Sequence, residues 1–147
     1  MAPIVSTIDI DRPPADVFAY ATDPERFSEW QHDVVGVRLA GARPATLGSR
    51  FVTTRRIGRG ERTMTQEITE CDAPRHWSAR GVDGPLRPHA SITVAPLDGG
   101  TRSRVTFSLD FEGPGFGKLL VPVVRRLAAT GAPHSYQRLK EHLERRG

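Results

Sequence analysis

Hydrophobic and polar residues alternate along most of this chain, and the alternation breaks at turns. Over 4–10, Ile4, Ser6, Ile8 and Ile10 fall on one side and Val5, Thr7 and Asp9 on the other. A period of two predicts a strand with one buried face. Asp11-Arg12-Pro13-Pro14 ends it. Proline is tolerated in a first helical turn, so a helix capped near Asp11 or Arg12 is expected next. Val17, Phe18 and Tyr20 supply its apolar side. Thr22-Asp23-Pro24-Glu25 repeats the start signal, and a second short helix over 24–30 turns Phe27 and Trp30 inward. Six further extended stretches follow, over 34–39, 50–57, 62–70, 75–81, 90–94 and 104–111. Their expected inner faces carry Val35, Val37 and Leu39, then Phe51, Thr53, Arg55 and Ile57, then Met64, Gln66 and Ile68. Ala90, Ile92 and Val94 continue the series, and Val105, Phe107, Leu109 and Phe111 close it. Trp77 lies in a stretch too short for parity to assign its side. Gly58-Arg59-Gly60 and Asp98-Gly99-Gly100 read as hairpin turns.

The last stretch, 116–146, has a different period. Leu119, Leu120, Val123, Val124, Leu127, Leu139 and Leu143 recur at three- and four-residue steps, which aligns them along one face of a long helix. Tight turns between consecutive strands impose antiparallel pairing, and one-sided alternation leaves one sheet face to be covered. The expected class is α+β: a seven-stranded curved antiparallel sheet wrapped around a long C-terminal helix, with two short helices between the first and second strands. Between Leu127 and Tyr136 the helix has no large apolar side chain. Gly131 costs about 1 kcal/mol and Pro133 about 3 kcal/mol in a regular helix interior, so a kink or break near 130–133 is expected. The helix should pack over 116–127 and again over 136–143, with a chamber beneath 128–131.

Composition narrows this picture without redirecting it. A chain of 147 residues with no repeats or linker fits one domain, and 37% hydrophobic with 26% charged residues is an ordinary globular balance. The net charge is +4, but the arginines are scattered and no aromatic residues are interleaved with them, so no nucleic-acid partner is expected. The single cysteine, Cys71, excludes an internal disulfide and suits a reducing compartment. The N-terminus lacks a basic region followed by an apolar core, and no apolar run approaches the roughly 20 residues a bilayer needs. A cytoplasmic protein, monomer or homodimer, is the expectation.

Three stretches then carry a resemblance. They are IDRPPADVFAYATDPERFSEW after the first strand, PLDGGTRSRVTFSLDFEG at the last hairpin, and GKLLVPVVRRLAATGAPHSYQRLKEHLE at the end. With them the chain resembles, over nearly its whole length, the START-like helix-grip superfamily, in particular its bacterial polyketide cyclase/dehydrase and lipid-transport group. These are signatures of a fold and not of a catalytic centre. The resemblance implies a hydrophobic cavity between sheet and C-terminal helix. Some members of that group cyclise or dehydrate polyketide chains, others carry lipids, quinones or hormones, and fold alone does not choose between them.

The residues themselves offer no established catalytic motif, whether phosphate loop, nucleophile elbow or zinc spacing. None of the five histidines pairs with another or with the cysteine at ligand spacing, so neither a metal nor another cofactor is expected. The informative positions are polar residues on expected inner faces. An inward Arg55 needs a carboxylate partner or a carbonyl-bearing or anionic ligand, unless it snorkels to water at its strand end. Gln66 is a candidate hydrogen-bonder to a ligand, or a brace for neighbouring backbone. In a helix-grip fold the core is also the cavity wall, so Phe27, Trp30, Phe51, Met64, Trp77 and Phe107 are candidate ligand contacts, together with Leu120, Val124 and Ala128 on the helix. For an enzyme, Arg55 would polarise a carbonyl, and His134, Tyr136 or Asp110 would move protons, although Asp110 falls on an outward face. The leading expectation is a small apolar, ring-containing or acyl ligand in a cavity of roughly 300–1,000 Å3. The alternatives are a cyclase, aromatase or dehydratase acting on a poly-β-keto chain, and a protein-interaction or stress module.

Overall fold

The structure, a computed structural model, describes residues 3–146 except Arg43 and Pro114, with backbone alone at 116 and 117. Seven strands form one curved antiparallel sheet: β1 (Ile4–Ile10), β2 (Val34–Ala40), β3 (Arg50–Ile57), β4 (Gly60–Asp72), β5 (His76–Gly81), β6 (Arg87–Leu97) and β7 (Arg102–Glu112). The spatial order is β1-β7-β6-β5-β4-β3-β2. Strands β2 to β7 thus form the meander that short turns impose, and β1 returns to pair with β7. The helices are α1 (Pro14–Ala21), α2 (Phe27–Trp30) and α3 (Val121–Arg145). A 3-10 turn, Pro24–Arg26, leads into α2, and its start is held by the Asp23 side chain accepting from the Glu25 backbone N–H. Pro13 occupies the cap position of α1, where Asp11 or Arg12 was expected; no side chain caps it there.

Inner-face parity holds wherever register is unbroken. Val105 faces Ile8 and Val94 across its two neighbours, and Phe107 faces Ser6 and Ile92. Parity fails in β2. A register shift between Val34 and Gly36 puts Val34 in the core and leaves Val35, expected inside, 49% exposed. One extra residue in a strand exchanges its two faces from that point on.

Helix α3 runs unbroken through Gly131 and Pro133, so of the expected kink or break the break does not occur. Pro133 and Ala129, whose carbonyl loses its helical partner to the proline, both lie on the exposed side. Water can satisfy that carbonyl, and packing of the other face offsets the propensity cost. The buried line of the helix is Val124, Gly131, Ser135, Leu139 and Leu143. Leu119, Val123 and Leu127, expected to pack, are 77%, 59% and 45% exposed. Leu119 lies before α3, in a 3-10 segment over Gly115–Leu119, and Val123 stands one position off buried Val124, about 100° around the helix. The N-terminal half of α3 therefore touches the sheet much less than the pattern suggested.

That difference divides the core. A large cluster gathers Ile10, Val17, Phe18, Trp30, Phe51, Trp77, Val105, Leu139 and Leu143 with their neighbours, under the C-terminal half of α3. A small one holds Met64, Leu86 and Val124, with Ile57, Phe111 and Val121 packed against it. The space between the two clusters sets the site.

Candidate functional site

A cavity of about 230 Å3 lies between sheet and α3, where the helix carries Ala128, Gly131 and Ala132. Small side chains reach less far towards the sheet, and the residues opposite do not fill the gap. The volume falls below the range expected from sequence. Phe27, Trp30, Trp77 and Phe107 wall it from the large cluster, and Met64, Phe111 and Val124 from the small one. The aromatic rings brace one another. Phe27 meets Trp30 and Trp77 edge-on, each with centroids 6.0 Å apart, and Tyr136 stacks on Phe107 at 3.8 Å. Exposed members of the lining, His32, Arg56, Gly58 and Leu127, mark the opening.

The segment joining α2 to β2 forms one lip of that opening and is tied down on two sides. Arg55 on β3 donates from Nη1 to Asp33 Oδ1 at 3.0 Å and from Nη2 to Gln31 Oε1 at 2.7 Å. On the helix side, the His32 backbone N–H donates to Ser135 Oγ at 3.1 Å, and His32 Nδ1 lies 3.1 Å from the same oxygen. A hydroxyl that accepts from the N–H still has its own proton for Nδ1. The His32 ring sits where a side chain at Gly131 would be: an added Cβ would lie 2.3 Å from Cε1.

The sequence candidates separate accordingly. Phe27, Trp30, Arg55, Met64, Gln66, Trp77, Phe107, Val124, Ala128 and Tyr136 all line the cavity. Phe51 and Leu120 do not; Phe51 is fully buried behind Phe27 and Trp77. His134 is exposed and outside the lining, 6.3 Å from the His32 ring. Asp110 is also outside it, ion-paired with Arg125. Arg55 does find a carboxylate, and it is Asp33. Burial pushes the Tyr136 phenol up to about 12 against the opposing pull of Arg55. It is thus a hydrogen-bond donor at neutral pH and a poor base. Among the described residues no group of three or more His, Cys, Asp or Glu is placed to hold a metal ion.

Sequence reasoning missed Gln31, His32, Asp33 and Ser135, which build the lip. They occupy a connection and a helix face with no period of their own. It also missed Leu86, which follows a Gly-Pro turn and is 3% exposed beneath Val124.

Comparison with known proteins agrees with this architecture. A family model described as polyketide cyclase / dehydrase and lipid transport matches residues 1–146. No curated protein matches the chain. Among solved structures, a START superfamily protein from Mycobacterium smegmatis is similar with a TM-score of 0.79 at 15% identity, covering 100% of both chains. A protein from Thermus thermophilus gives 0.77 at 21% identity, covering 96% of each chain. The Zhui aromatase/cyclase of a Streptomyces strain gives 0.79 at 12% identity, covering 98% of this chain and 94% of that one. At such identities these likenesses speak for the fold alone.

Proposed function

The chain belongs to the polyketide cyclase/dehydrase and lipid transport family, and we propose that it binds a small apolar, ring-containing molecule in the cavity between sheet and α3. One observation carries this reading. The core is divided, and the division is walled by aromatic rings and roofed by Ala128, Gly131 and Ala132 instead of being closed by larger side chains. Binding would draw on apolar burial. At about 25 cal/mol per Å2, a ring burying roughly 200 Å2 gains about 5 kcal/mol before association costs.

Catalysis is the second reading, since a cyclase or dehydratase needs the same cavity. It also needs a base within reach of the ligand. Asp33 is engaged by Arg55, Tyr136 is held protonated, and His32 Nδ1 at the opening is engaged by Ser135, so binding stands ahead.

The test uses N-phenyl-1-naphthylamine, a neutral probe whose fluorescence rises in apolar surroundings. Its emission should rise on the wild-type protein. Ala128→Phe, which fills the roof of the cavity, should abolish that rise while leaving the thermal midpoint within a few degrees. Equal signals from the two proteins would place the probe elsewhere and refute the reading.

A further inference from the structure

We propose that the cavity selects an uncharged ring bearing an oxygen acceptor, and that the Gln66 amide is the group that reads it. This rests on the binding reading and goes beyond it to the chemistry of the ligand.

The argument is a balance of polar groups on the lining. Arg55 is engaged by Asp33 Oδ1 and Gln31 Oε1 at the partly exposed lip. His32 and Ser135 bond to each other. Ser91 bonds to Ser78. Gln66 differs. The side-chain hydroxyl of Thr53, a residue with 0% exposure, donates to Gln66 Oε1 at 3.3 Å. In the structure it is the amide oxygen that takes this bond. That leaves the nitrogen, with two N–H donors, to the cavity that Gln66 lines. Gln66 is itself 4% exposed, and among the described residues its nitrogen has no partner. The Tyr136 hydroxyl also lines the cavity without a partner among the described residues. The Trp30 indole N–H, in the same wall, is enclosed and unpartnered.

The unpartnered groups enclosed in the lining can thus all donate, the half-buried Ser108 hydroxyl included, while Asp33 and Gln31 at the partly exposed lip are bonded to Arg55. A ligand that fits this set supplies acceptors. A hydrocarbon would displace water from Gln66 and leave its N–H groups unpaired, which lowers affinity. A carboxylate meets a different obstacle. Arg55 is already neutralised by Asp33, and Arg56 is exposed and within 3.7 Å of Glu61. A buried anion without a free counter-charge is disfavoured. An uncharged carbonyl on a ring satisfies both conditions.

Displacement of N-phenyl-1-naphthylamine by 1-tetralone, tetralin and decanoate tests this. Tetralone and tetralin share a carbon skeleton and differ by one oxygen. On the wild type, tetralone should displace the probe at least about fivefold more effectively than tetralin, the size of one net hydrogen bond. Gln66→Leu should reduce that preference to about twofold or less while keeping tetralin binding. Thr53→Val, which retains the amide but frees it to turn, should shrink the preference too, and it serves if Gln66→Leu does not fold. Equal displacement by tetralone and tetralin on the wild type overturns the proposal. So does decanoate outcompeting tetralone, or an undiminished preference in the variants. Failure of the probe to bind the wild type at all would instead remove the binding reading beneath it.

Discussion

Gly131 shows how one residue's meaning depends on what it faces. In an ordinary helix interior, Gly→Ala gains about 1 kcal/mol. Here the new Cβ would meet the His32 ring, which would have to swing away and release Ser135. Gly131→Ala should therefore gain nothing, or lose stability. In a His32→Ala background the same change should recover its gain of about 1 kcal/mol, read by urea unfolding. An equal gain in both backgrounds would mean the ring does not hold the lip. Tyr136 gives a pH dependence of definite sign. Its native phenol, pushed up to about 12, keeps a proton that the unfolded chain loses near its ordinary value of about 10. The folded state then binds more protons than the unfolded one, so stability is present below about pH 10 and falls as pH rises towards 12. Tyr136→Phe should flatten part of that fall in unfolding midpoints taken across the window. Tyr20, also raised to about 12 by burial and by its bond to Glu29, should retain the rest.

At the level of elements, α3 is two helices joined in one. Its C-terminal half seats Leu139 and Leu143 at 0% and 2% exposure, whereas the large apolar side chain buried in its N-terminal half is Val124, with half-buried Val121 beside it. Truncating Leu139 or Leu143 to alanine should cost about 2–5 kcal/mol. Leu119→Ser and Val123→Ser should each stay within about 0.5 kcal/mol, because those side chains already face solvent. Denaturant midpoints would decide it, and a large loss at Val123 would contradict this placement. The hydrophobic period correctly marks a broad apolar band on this helix. It does not resolve two stripes one residue apart, since a sheet contact narrower than the band selects one of them. Pro133 makes a similar point: propensity predicts a break, and a tolerant exposed position on a packed helix overrides it.

At the scale of the molecule, the lip couples three elements to one cavity. Arg55→Ala would free the segment 31–33 from β3 and leave Asp33 without its partner. Probe dissociation, followed by stopped flow, should accelerate several-fold, while stability changes by about 1 kcal/mol, since both groups are partly exposed. An unchanged dissociation rate would show that the tie does not govern access. The sequence by itself determined the order of elements, the antiparallel meander, the grip of a long helix on a one-sided sheet, and the small residues at 128–131 above a space. These follow from period, turn chemistry and side-chain volume, which are local properties of the chain. Tertiary structure alone decided that Val34 and not Val35 faces inward, that Asp33 partners Arg55, that Ser135 holds His32, and that Thr53 turns the Gln66 amide towards the cavity. It also decided how little of the helix's first half is seated, and hence that the core has two parts. Each of these depends on which distant residues come within bonding distance, and no local period carries that information.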